Sequence, residues 1–201
     1  MNNTIEQLNN KLNLVGLPDD GKYDEYFSEI ADLLMNHCLI SKGDNEYEIV
    51  EIEFYLFTPE HQDVITYPRV INAGMWFFHQ SGVDLTFESK GEKFGGILIR
   101  GIRLNKEGSK PIIGPIKCVN ELWDKFNALA PKLKDFPKLK QRQKEIKKEV
   151  KPFVRKITVP KSKDKKKLVA YWTDRVKEKV SLNEDELIDL VFNSKYQFRA
   201  Y

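Results

Sequence analysis

Three side chains with chemistry to offer stand at alternate positions in the stretch EIVEIEFYLF, residues 48 to 57: Glu51, Glu53 and Tyr55. Alternate residues of a strand share a face, so two carboxylates and a phenol form one line, while Val50, Ile52, Phe54 and Leu56 form an apolar line opposite. A carboxylate placed among apolar neighbours can take a proton from water or offset a growing positive charge. A wet face of a half-exposed antiparallel sheet would carry the same residues and do nothing. A cation beside the carboxylate would keep it ionised, whereas burial alone would favour the protonated form. Arg100, between Leu98 and Ile102 on its strand face in GGILIRGIRL, is the candidate. Its structural alternative is a buried arginine paired for stability.

Other constellations are weaker. His79, Ser81 and Asp84 fall within six residues, but a triad is defined by geometry, and a tight turn rarely supplies all three members. A hairpin in which Ser81 and Asp84 bond to the backbone is the simpler expectation. His37, His61 and His79 are scattered, and the only cysteines, Cys38 and Cys118, lack ligand spacing, so neither a metal nor a disulfide framework is expected.

The elements that would position these residues follow from periodicity. Phe27, Ile30, Leu33 and Leu34 mark an amphipathic helix over residues 23 to 36. Strands are expected at 48 to 57, 75 to 80, 83 to 87 and 95 to 103, interrupted by an irregular excursion at 58 to 74. Val119, Leu122, Trp123, Phe126 and Leu129 predict a second helix with Pro115 in its first turn. A third helix is expected over 139 to 150 and a short strand over 153 to 159, before a solvated KDKKK loop. Helical segments then fill 168 to 180 and 181 to 192, the latter opened by a Ser181–Glu184 capping box, and a last strand closes the chain. With no internal repeat, residues 1 to 201 read as a single mixed α/β domain of the α+β kind, a curved antiparallel sheet surrounded by helices. No stretch suits a membrane span or a signal peptide, which points to the cytoplasm.

Charge is unevenly spread. Residues 1 to 137 hold 14 Lys/Arg against 21 Asp/Glu, a net of −7, and residues 138 to 201 hold 19 against 9, a net of +10. The basic region, residues 138 to 179, is either a solvated surface or the footprint of a polyanion binder. On the second reading Lys161, Lys163, Lys165, Lys166 and Lys167 neutralise phosphates.

Taken in order, IADLLMNHCLI, IVEIEFYL, TPE, MWFFHQSGVDLTF, GGILIRGI and IIGPIKCVNEL resemble the alkylpurine (3-methyladenine) DNA glycosylases of the mammalian alkyladenine type, over residues 27 to 126. The resemblance implies that Glu53, in EFY, activates the water that attacks the sugar. It also implies that Arg100 helps hold that water, that Tyr55 stacks on the extruded base, and that Phe78 stands on the pocket wall. His61 and Tyr67 are the candidates for the histidine facing the base, and Lys117, after Gly114 and Pro115, matches a stretch beside the site. Ser81 falls where the family inserts a tyrosine into the base stack, and Glu88 where it has an asparagine. The implied activity is cofactor-free hydrolysis of a flipped, damaged purine from duplex DNA by a monomer, in base-excision repair. A catalytically silent nucleic-acid binder and a hydrolase of free nucleosides or other small molecules remain the alternatives.

Overall fold

The computed structural model describes residues 4–19, 21–124, 136–144, 146–157, 159 and 164–200. Two helices come first, α1 (Thr4–Leu12) and α2 (Tyr23–Asp32), the second running into a π-helical turn, Leu33–His37. Then follow β1 (Cys38–Lys42), β2 (Asn45–Thr58), β3 (His61–Gln62), β4 (Trp76–His79), β5 (Gly82–Thr86), β6 (Phe94–Leu104) and β7 (Ile112–Ile113). Helix α3 (Pro115–Trp123) precedes β8 (Lys138–Gln141), β9 (Val150–Phe153), α4 (Lys165–Val176), α5 (Glu184–Asn193) and β10 (Gln197–Ala200). The protein is thus mixed α/β, with a curled antiparallel sheet, a half-barrel, and helices against it. No helix among the described residues is long and apolar enough to cross a membrane.

The sheet runs β4-β5-β6-β2-β1-β8, and β10 joins β2 beyond the end of its pairing with β1 and carries β9 on its far side. Its spine is the β2–β6 pair. One face carries the main core, where Phe27, Ile30 and Leu34 meet Ile52, Phe54 and Leu56. Phe27 and Phe54 stack there with ring centroids 4.4 Å apart. Beyond Tyr55 the other face is capped by a smaller core, in which Phe57 and Phe94 stack at 5.1 Å under α4 and α5.

The apolar line drawn through Val50 breaks in the middle of β2. Tyr47 and Ile49 enter the main core, as do Ile52, Phe54 and Leu56, while Val50 stays out of it. An extra residue on each strand reconciles the two phases. Ile49 and Glu51 lie opposite Ile102 and Gly101, which makes Val50 the surplus residue of β2, and Glu51 and Ile52 lie opposite Gly101 and Ile99, which makes Arg100 the surplus residue of β6. A one-residue insertion flips every later side chain, and this bulge restores burial on both sides of the flip. It leaves Arg100 on the face of Leu98 and sends Ile102 into the core, contrary to the expected shared face. At the bulge a Cβ on Gly101 would stand 2.9 Å from both Glu51 Cβ and Ile113 Cδ1, so only glycine lets the strands approach.

Downstream the elements differ more from expectation. The described residues between 139 and 150 form no helix; β8 pairs with β1 through Leu39 and Lys140, and β9 reaches back to Val150 around Pro152. Pairing at a sheet edge overrode a helical-looking period. Lys165, Lys166 and Lys167 of the expected loop are the start of α4, with the Asp164 side chain accepting from the Lys167 amide at 2.7 Å. The capping box of α5 is Asn183 with Glu186, two residues beyond the expected pair. The second helix is described only as far as Trp123; Phe126 and Leu129 lie outside the described residues.

Candidate active site

The bulge keeps Glu46, Glu48, Glu51, Glu53 and Tyr55 on one face of β2, away from the main core. Glu53, 1 % exposed, has two unlike carboxylate oxygens. Its Oε2 accepts from the Tyr55 hydroxyl at 2.7 Å and from Arg100 Nη1 at 3.2 Å. Its Oε1 is buried with no hydrogen-bond partner. Gln197, opposite Glu53 on β10, also holds a buried side-chain oxygen without a partner, while its amide donates to Glu51 Oε1 at 2.6 Å. Arg100 Nε donates to that same Glu51 oxygen at 3.1 Å, and Arg199 Nε lies 3.4 Å from Glu51 Oε2. Two carboxylates therefore face two guanidinium groups, and the burial of each charge is compensated.

The protonation states follow from the surroundings. Burial opposes the charged form of Arg100, but Glu53 and Glu51 outweigh it and its pKa is raised. Burial, with the neighbouring Glu53 charge, lifts the Tyr55 phenol well above 10, so Tyr55 donates to Glu53 rather than competing for protons. Arg155 lies 4.9 Å over the Tyr55 ring, itself fully buried and forked onto Asp63 at 2.7 and 2.9 Å. Asp63 and Arg155 raise no signal of function in the sequence, since one sits in an irregular segment and the other in a lysine-rich one.

Next to Tyr55 opens a pocket of 120 Å³, lined also by Leu98, which pairs with Glu53 across the strands. A water needs about 10–15 Å³ on this measure, so the space suits a larger group. Ile65, Tyr67, His79, Ser81, Asp84 and Arg69 complete its wall. Glu53 itself does not line it and adjoins it through Tyr55 and Leu98. Asp84 does not bond to the backbone of a turn; it is on β5, salt-bridged to Arg69 at 2.7 Å and bonded to His79 Nε2 at 2.9 Å. A Cβ on Gly96 would come within 2.7 Å of Asp84, so the bare backbone of β6 makes room for this pair. His79 Nδ1 accepts from the Ser81 amide at 3.2 Å, which leaves neither ring nitrogen for the Ser81 hydroxyl. These three residues are not arranged as a triad.

The other expected positions separate. Tyr67 is half exposed on the pocket, stacked towards His79 with centroids 6.3 Å apart and covered by the Arg175 guanidinium at 4.3 Å. His61 belongs elsewhere: it is buried in the main core, with Nδ1 bonded to the Leu56 carbonyl at 2.7 Å and Nε2 to the Tyr196 hydroxyl at 2.9 Å. Phe78 faces Trp123 at 4.9 Å, on the side of β4 shared with Trp76, and Phe77 turns towards Arg69 and His79 instead. Ser81 is exposed at the tip of the β4–β5 hairpin, and Lys117 is exposed in the first turn of α3. Lys165, Lys166 and Lys167 are exposed in the first turn of α4, where Lys166 pairs with Glu184 at 2.8 Å. Lys161 and Lys163 lie outside the described residues. Among the described residues no group of three or more His, Cys, Asp or Glu could hold a metal ion. Both cysteines are buried, which pushes their thiols up to about 12.

A half-barrel sheet with a paired carboxylate beside a pocket is what the chain presents for comparison with other proteins. It is 27% identical over 128 aligned residues to an uncharacterized protein of Acanthamoeba polyphaga mimivirus, the match covering 51% of this chain and 59% of the viral one. The chain thus spans about three fifths of the length of the curated relative it matches. No family model matches the sequence, and no solved structure matches it.

Proposed function

We propose that this chain is a glycosylase-like hydrolase that cleaves the N-glycosidic bond of a damaged purine turned out of duplex DNA, with the architecture of the alkyladenine type. The observation that carries the reading is the division of labour on Glu53, whose Oε2 is fixed by Tyr55 and Arg100 while the buried Oε1 has no partner. A nucleotide must leave the stack to reach such a site, and its base then sits against aromatic walls, here Tyr55 and Tyr67. Glu53 Oε1 takes a proton from water, the water oxygen bonds to the anomeric carbon of the sugar, and the electron pair of the broken C–N bond leaves with the purine. Arg100 and Tyr55 fix Oε2, which leaves Oε1 for that step. The exposed first turn of α4, with Lys165, Lys166 and Lys167, follows the DNA backbone.

Glu53→Gln keeps the shape and removes the base, so single-turnover release from duplexes carrying alkylated adenine or hypoxanthine should slow by about a hundred- to ten-thousand-fold with DNA binding retained. Equal rates for the two proteins, or no release by the wild type, would end this mechanism. A second reading, hydrolysis of a free nucleoside, is favoured by Ser81 at the hairpin tip, too short to fill a gap in a base stack. Release from nucleosides but not from duplexes would select it.

A further inference from the structure

The carboxylates of β2 are matched by cations everywhere except at Glu48. Glu51 and Glu53 share Arg100 and Arg199, and Glu46 takes Lys140. Glu48 is surrounded by three. Arg103 donates to Glu48 Oε2 from Nε at 2.8 Å and Nη2 at 2.5 Å, Arg142 Nη2 donates to Oε1 at 3.0 Å, and Lys148 Nζ lies 2.8 Å from Oε2. Three separate segments bring these cations together: β6, the residues after β8, and those before β9. Among the described residues the cluster carries two positive charges beyond its carboxylate.

Two features face this excess outward. The Arg142 side chain is only 6 % exposed, yet its Nε has no hydrogen-bond partner, and it lines a cavity of 390 Å³ together with Glu48, Asn105 and Lys144. A second cleft of 320 Å³, sharing Glu48 and Asn105 with the first, is lined by Arg103, whose side chain is 36 % exposed. Cations this close repel one another and lose hydration together. The Lys148 ammonium shows it: burial pushes its pKa down, and Arg103 and Arg142 add to the fall against the pull of Glu48. An oxyanion with several oxygens answers the charge excess at the partly exposed Arg103, since guanidinium forks fit such groups.

We propose that the Glu48–Arg103–Arg142–Lys148 cluster binds a phosphate group. The chemistry is shared by a nucleic-acid backbone and a free phosphate. The backbone source is favoured by position, because Glu48 lies on the same face of β2 as Glu53. The inference stands on the cluster alone and survives loss of the Glu53 mechanism.

The test compares thermal unfolding of the full chain in inorganic phosphate and in sodium chloride of equal ionic strength. Phosphate should raise the melting temperature of the wild type beyond chloride, as any ligand of the folded state does. Arg103→Gln, at a partly exposed position, should lose most of that gain. Glu48→Gln separates binding from mere structural pairing. It should be less stable than the wild type without phosphate, and should gain more from phosphate, because the excess charge rises by one. No gain over chloride, or a gain in Glu48→Gln no larger than in the wild type, would overturn the proposal. A short fluorescent duplex then identifies the source. If it is the backbone, Arg103→Gln lowers the slope of log affinity against log salt by about one. An unchanged slope with a lost phosphate effect assigns the site to free phosphate.

Discussion

Replacing Arg155 by methionine should be among the most destabilising single changes in this protein. Arg155 and Asp63 are both fully buried, joined by two bonds of 2.7 and 2.9 Å, and Arg155 also donates to the carbonyls of Phe54 and Val191, each at 3.1 Å. One side chain thereby ties the sheet spine, the irregular segment after β3 and helix α5. Methionine fills similar space but leaves the buried Asp63 charge without its cation and takes a donor from two carbonyls, and breaking a buried pair in this way costs about 3–5 kcal/mol. With a urea slope of about 2 kcal/mol per molar, the unfolding midpoint should fall by about 1.5–2.5 M. The double variant Asp63→Leu/Arg155→Met removes both charges and should recover most of the loss, because the penalty belongs to the stranded partner. The measurement is equilibrium urea unfolding followed by tryptophan fluorescence. A loss below about 1 kcal/mol for the single variant, or a double variant no more stable than the single, would refute the reasoning.

Two further predictions concern packing and pH. Gly96→Ala would place a Cβ 2.7 Å from Asp84 and 2.8 Å from Arg69 Nη1, so it should destabilise by about 1–3 kcal/mol and disturb the pocket; an unchanged urea midpoint would show that the pair moves freely. His61 is held neutral in the fold, since burial pushes its pKa below 6.5 against the upward pull of Asp63 and the Leu56 carbonyl. The unfolded chain therefore binds this proton first, and stability from His61 is full above pH 6.5 and declines as pH falls from there towards the folded value. The stability difference between wild type and His61→Asn should shrink across that window, and a difference independent of pH would exclude the linkage.

The sheet was legible in the sequence because its strands carry their burial pattern in their own residues. The strands near Phe54, Trp76, Leu85 and Ile99 fall where alternation places them, and the helix through Phe27 and Ile30 does too. The basic third was legible as charge but not as structure. Arg142, Lys148 and Arg155 read as surface in a lysine-rich run, yet each is drawn inward by a carboxylate from a distant element, a pairing that local composition does not encode. His61 misled for the related reason that a histidine within an irregular stretch looks available, whereas tertiary packing put it between Tyr23 and Tyr196. The slip of phase at Val50 was visible in principle: glutamates at 46 and 48, then at 51 and 53, change parity with one residue to spare.

That slip matters to the candidate chemistry. Without it, a strand that buries Tyr47 and Ile49 would turn Glu51, Glu53 and Tyr55 into the main core, among Phe27, Ile30 and Leu34. With it, the same bulge that restores Ile52 and Phe54 to the core makes Arg100 the surplus residue opposite, with its guanidinium bonded to both glutamates. Arg100 Nη1 donates to Glu53, and the Tyr55 phenol, its pKa raised by burial and by the Glu53 charge, donates to the same oxygen. Both contacts fall on Oε2. Oε1 is left as the acceptor of the pair, and in a buried setting an acceptor without a donor draws one strongly. Under the mechanism proposed for Glu53, that donor is the attacking water.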